Sequence, residues 1–377
     1  MNASRLLEIL CSLTMQVAVV VGVTQFLGQR YFRDDRDRDR LWSGCLLALL
    51  LVPICDFCLP HLRMLPVPAV LVDPDVGLRL EAHAGAIMWI VRLWMAGALL
   101  MLGRIVVGSL RAAWLLGRSA PIDAARLPVP WGTLAVSCDR VAFERSKAMQ
   151  GRAGRDARPI RFRATTETLS PFCWQLHRPT IVLPETVLSF PPDEIAAVIR
   201  HEAAHLSFAH PLRLFVQRVA EASLWFHPAV WWAGKKSNAA REFACDQLAA
   251  PTAETAAALL RSMLRLAELG CGPARSSLAN AATGTSASLL AERARKLSQS
   301  VVAPVDSARR TGFPLAPAIV AVAAVLLLWI PMDVCASSRS LWSPWPVWSA
   351  RALQSLGISA RDYEIDGHRL RTDGRAM

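Results

Sequence analysis

The chain has 377 residues, 53% hydrophobic and 19% charged, and a mean hydropathy of +0.30, which argues against an ordinary water-soluble protein and calls for membrane spans. The net charge is +12, and all but four of the 42 basic residues are arginine. No nucleic-acid motif accompanies them, so no direct nucleic-acid binding is expected, and the charge reads as cytoplasmic segments and contact with anionic headgroups. Nine cysteines, odd in number and partly inside apolar runs, do not form the pattern of a secreted disulfide framework.

Four apolar stretches, residues 6–27, 41–59, 84–107 and 315–332, are long enough to cross a bilayer, which takes roughly 17 to 25 helical residues. The first exceeds a signal-peptide core and is followed by Gln29, Arg30, Tyr31 and Phe32 instead of small cleavage-site residues, so it reads as a retained anchor. Residues 30–40 carry Arg30, Arg33, Arg36, Arg38 and Arg40. Their four interleaved aspartates count little in the positive-inside rule, so this loop is expected in the cytoplasm. The N-terminus and residues 60–83 then lie outside, and everything between spans three and four lies inside. The arginine-rich tail runs against this topology, but the earlier, shorter loops take precedence. Asp56 and Arg92 sit near the outer ends of their spans and read as snorkelling groups, and Cys55 and Cys58 form a CxxC without a thioredoxin-like surrounding.

Within the insert, residues 133–137 and 180–183 read as strands, the second bracketed by Pro179 and Pro184. From Asp193 the periodicity becomes helical. Pro191 and Pro192 precede Asp193 and Glu194 in the first turn, and Pro211 is expected to end or kink this helix. A second helix is expected over 212–226 and a third over 228–250. Residues 271–288 read as a mobile loop and 289–297 as a helix.

The first of these helices carries His201-Glu202-Ala203-Ala204-His205, an HExxH. Residues four apart share a helix face, so both imidazoles can reach one metal ion while Glu202 sits beside it as catalytic base. A catalytic Zn2+ needs a third ligand and an open position. Glu242 is the preferred third ligand, with Cys245, His210 and His227 as rivals. Asp246 lies one turn after Glu242, where it can hydrogen-bond a ligating imidazole. Arg241 and His227 are weak possibilities for stabilising the oxyanion.

The blocks Ser170-Pro171-Phe172, Arg178 to Glu185, the HExxH, Trp225 to Trp232 and Arg241 to Asp246 resemble, in order and spacing, the BlaR/MecR-type membrane zinc metallopeptidases. The resemblance implies His201, His205 and Glu242 as zinc ligands, Glu202 as base, and a cytosolic repressor as substrate. The chain departs from the family's pattern in having His210 where an aspartate is common. It also has about 45 residues after the fourth span and no Ser-x-x-Lys, so no penicillin-binding sensor is expected.

The expected architecture is mainly α: a polytopic membrane protein with about four transmembrane helices and a cytosolic α+β zincin-like metalloprotease domain between helices three and four. Residues 1–117 would hold three spans, 118–312 the protease domain, 313–333 the fourth span, and 334–377 an extracytoplasmic tail whose Trp342, Trp345 and Trp348 anchor at the interface. The expected function is a zinc endopeptidase of the inner membrane that cleaves a cytosolic protein in envelope or antibiotic-stress signalling. An HtpX-like quality-control or maturation protease and a non-catalytic signalling scaffold are the alternatives, and self-cleavage in residues 271–288 is a further expectation.

Overall fold

The computed structural model describes residues 3–32, 34–58, 61–62, 84–128, 160–175, 178–270, 287–302, 316–328 and 342–343. Long apolar runs become three helices, α1 (Ala3–Arg30), α2 (Asp35–Cys58) and α3 (Ala84–Arg118). Among the described residues, two stretches are long and apolar enough to cross a membrane, Ile9–Arg30 and Met88–Arg118. The second has no fully buried residue in its apolar window and leaves Trp89, Leu93, Leu99, Leu100, Val107 and Leu110 exposed, a surface that water would penalise and acyl chains would not. The third predicted span, 84–107, thus continues about three turns further than the sequence suggested.

The second predicted span behaves differently. The inward face of α2, with Leu41, Trp42, Cys45, Leu46, Leu49 and Val52, is buried against protein. An apolar run looks the same in sequence whether lipid or protein covers it. The fourth predicted span contains the twelve-residue apolar helix α10 (Ala316–Leu327). Backbone pairing between β1 (His61–Leu62) and β6 (Trp342–Ser343) brings together the segments after α2 and α10, as expected if both lie on one side. Residues 133–137, Trp345 and Trp348 lie outside the described residues, as does 271–286 of the predicted loop.

The insert builds a four-stranded sheet, β2 (Ala120–Ile122), β3 (Arg161–Thr165), β5 (Thr180–Pro184) and β4 (Phe172–Trp174), in that spatial order. β3 and β5 run parallel and the flanking pairs antiparallel. Every residue of β5 is buried, which explains its unbroken apolar sequence. After the short α4 (Glu185–Leu188) comes α5 (Pro192–Ser207), with one face on Phe162, Ile181 and Leu183 of the sheet. Its Ala197 belongs to the core formed with α8 (Ala253–Gly270) and α9 (Ala287–Val302), including Leu259, Met263 and Leu297.

Two helices follow α5, namely α6 (His210–Ser223) and α7 (Pro228–Ala249). Pro211 does not end α5, which stops at Ser207. It stands in the first turn of α6, where a missing N–H is harmless. The reversal is made by Ala209, whose φ of 55° and ψ of 35° lie in the left-handed region. The α6–α7 hairpin does not stand apart from the apolar helices α1, α2 and α10. Ala220, Leu224, Val230, Ala233 and Ala240 share one core with Leu13 and Val17 of α1, Leu46 and Leu49 of α2, and Ala321 of α10.

Candidate metal centre

Helix α5 presents His201 and His205 one turn apart, and α7 crosses it to bring in Glu242. The two Nε2 atoms are 3.2 Å apart. Glu242 Oε2 lies 3.5 Å from His201 Nε2, and its Oε1 lies 3.7 Å from His205 Nε2. A tetrahedral zinc with bonds of about 2.05 Å separates its ligand atoms by roughly 3.3 Å. The donor triangle fits such an ion by both size and chemistry, with two imidazoles and one carboxylate.

Asp246, one turn beyond Glu242, comes within 3.0 Å of His201 Nδ1, though at an angle short of a straight hydrogen bond. Burial disfavours charge on His201, but the Asp246 and Glu242 carboxylates outweigh it and lift the ring to about 9. His205 is held neutral, chiefly by burial and despite Glu242. Burial would protonate Glu242, yet the Arg293 guanidinium and the two histidines keep it well below the usual carboxylate range. Glu202 is buried beside the triangle, and burial pushes its carboxyl up to about 7.

The rival ligands fall elsewhere. Cys245 Sγ approaches His210 Nδ1 at 3.3 Å, and His210 itself touches Nδ1 of His205, the nitrogen away from the triangle. His227 accepts from Ala229 N–H at 3.2 Å, capping α7, and its Nε2 donates to Thr14 O of α1 at 3.1 Å. Arg241 donates to Gln217 Oε1 at 2.9 Å. Both ring nitrogens of His227 are thus engaged, whereas Arg241 uses Nη1 and Nη2 and leaves Nε without a partner among the described residues.

Two residues that sequence reasoning passed over belong to the surroundings of the site. Arg293 on α9 makes a forked pair with Asp246, both contacts at 2.7 Å, and reaches Glu242 Oε2 at 3.1 Å. Asp39 on α2 meets His210 Nε2 at 3.2 Å. No spacing rule points to either. Arg293 is one arginine of an amphipathic helix, and Asp39 one aspartate among arginines.

Residues 136–295 match the family model described as BlaR1 peptidase M56. A stretch of 77 residues is 31% identical to the "Regulatory protein BlaR1" of Bacillus licheniformis, covering 20% of this chain and 13% of that protein. The aligned stretch is thus about an eighth of the relative's length. A metallopeptidase family whose residues 136–295 enclose the whole donor triangle agrees with the chemistry of the site. Over that segment, the chain is similar to the BlaR1-type M56 peptidases.

Proposed function

We propose that this chain is a membrane-anchored zinc endopeptidase in which His201, His205 and Glu242 hold the metal and Glu202 is the catalytic base. The observation that carries the reading is the donor cluster, with the two Nε2 atoms 3.2 Å apart and Glu242 oxygens 3.5 Å from one and 3.7 Å from the other, beside a buried carboxyl. Zinc held there supplies Lewis acidity and a lowered pKa for water at its open position. Glu202, balanced near neutrality, takes a proton from the attacking water on its carboxylate and delivers it to the leaving amine nitrogen. Asp246 braces His201 at Nδ1, and Arg293 holds Asp246 in a forked pair and keeps Glu242 ionised by its proximity.

In this reading the enzyme sits in the inner membrane with four crossings and the catalytic domain facing the cytosol. The arginines of residues 30–40 and the lipid-ready surface of α3 support this arrangement. The substrate is a cytosolic protein, and likeness to the BlaR/MecR family favours a transcriptional repressor within a signalling pathway.

Metal content of the purified full chain in detergent tests the assignment. Wild type and Glu202→Gln should hold about one zinc per chain, and His205→Ala and Glu242→Ala should lose it. Full zinc in Glu242→Ala would refute the third ligand. Glu202→Gln should also trap the uncleaved substrate.

A further inference from the structure

Behind the donor triangle, His205 turns its second nitrogen to another histidine. Nδ1 of His205 lies 2.9 Å from Nδ1 of His210, and Nε2 of His210 lies 3.2 Å from Oδ2 of Asp39. His210 is 2% exposed and Asp39 1%. Asp39 belongs to the second turn of α2, 171 positions before His210, and the same Oδ2 accepts from Arg213 Nη1 at 2.5 Å.

His205, His210 and Cys245 also lie close enough to suggest a second metal site, with ligating atoms within 4.8 Å of one another. The individual separations argue otherwise. Tetrahedral zinc would hold a pair of nitrogens roughly 3.3 Å apart, and a nitrogen and a sulfur roughly 3.6 Å apart. The observed 2.9 and 3.3 Å are both shorter, and the first is a hydrogen bond.

Proton placement gives that hydrogen bond a direction. A neutral imidazole carries one N–H. When His205 offers its Nε2 lone pair to a metal, its proton sits on Nδ1 and is donated to Nδ1 of His210. The proton of His210 is then on Nε2 and is donated to Asp39, whose carboxylate can only accept. Reversing the chain would present an N–H to the metal instead of a lone pair.

We propose that His210 and Asp39 are positioning residues that hold His205 in its metal-ligating tautomer and orientation, so that the start of α2 completes the metal site. The inference rests on the zinc reading above. It makes the geometry of a metal ligand depend on where α2 sits against α6.

The test uses the full chain in detergent, with zinc affinity measured by competition against a chromogenic chelator. Asp39→Ala and His210→Ala should each weaken binding about 10- to 100-fold, and the double variant should be no weaker than His210→Ala alone. His210→Asp places a carboxylate oxygen on Cγ where the imidazole carries Nδ1. It should restore affinity and make it indifferent to Asp39→Ala, a result that a merely structural role for Asp39 would not give. Unchanged affinity in Asp39→Ala, or additive losses in the double variant, would overturn the relay while leaving the zinc site standing. A thiolate-to-cobalt charge-transfer band in cobalt-loaded wild type would overturn it in favour of Cys245 as a ligand. A wild type that binds no zinc would overturn the zinc reading itself, and the relay with it.

Discussion

Arg293 of α9 forks onto Asp246 of α7, with Nε 2.7 Å from Oδ2 and Nη2 2.7 Å from Oδ1, while its other nitrogen reaches Glu242. Both residues are buried, so removing the arginine leaves two carboxylates with only the His201 ring as a close counter-charge. Arg293→Met is expected to destabilise the chain by about 3 to 5 kcal/mol, the usual consequence of orphaning a buried charge. Arg293→Lys keeps the charge but loses the planar fork, and should fall between the two. Thermal melts of the metal-free protein decide this. Equal melting temperatures for wild type and Arg293→Met would show that α9 is not held by this pair.

Acidity is redistributed around the triangle, which gives the metal-free protein a specific pH response. His201 is lifted from 6.5 to about 9, against burial, by Asp246 and Glu242, and Glu202 is lifted from 4.5 to about 7 by burial. A histidine whose pKa rises on folding stabilises the fold fully below its unfolded value and loses that contribution as pH climbs through the folded one. For Glu202 the charged form becomes costly to keep buried as pH climbs from 4.5 toward 7. Both effects have the same sign. Below about pH 6.5 the buried, neutral His205 pulls the other way. The melting temperature in chelator should therefore fall from about pH 7 to about pH 9, and a flat profile there would count against the assignment.

Zinc binding should show the complementary effect. At pH 7 the proton on His201 must leave before Nε2 can ligate, so uptake of one zinc should release about one proton. Titration calorimetry in two buffers of different protonation enthalpy reads this number directly. The release should shrink as pH passes 9, and its absence at pH 7 would place the metal elsewhere.

The sequence made the local pieces of the site legible and hid the distant ones. HExxH announces itself because a helix repeats every 3.6 residues, and Glu242 with Asp246 can be read by the same rule. The buried strand β5 is visible as an apolar run between prolines. Arg293 and Asp39 escape because their partners are 47 and 171 positions away, and only the packing of α9 on α7 and α2 on α6 brings them in. Pro211 is ambiguous in sequence, since a proline suits a helix's first turn as well as the residues after its end. Here Ala209 makes the break. The burial of α2 is not legible at all, since apolar side chains do not record whether lipid or protein will cover them.

The join between α3 and the catalytic helices depends on one glycine. A Cβ on Gly97 would collide with the indole ring of Trp225, which lies flush against the α3 backbone and donates from Nε1 to Trp94 O at 3.1 Å. A helix interior ordinarily gains from replacing glycine, by about 1 kcal/mol for alanine, so a glycine kept here serves the contact and not the helix. Gly97→Val should push α3 away from the residues linking α6 and α7, breaking the indole hydrogen bond and lowering the melting temperature in detergent. Because the obstacle is a side chain, removing it should relieve the damage. Gly97→Val with Trp225→Ala is expected to be more stable than Gly97→Val alone, although Trp225→Ala by itself destabilises. Strictly additive losses in the two substitutions would show that α3 does not pack on Trp225, and that the membrane helix and the hairpin carrying Glu242 are held together by other contacts.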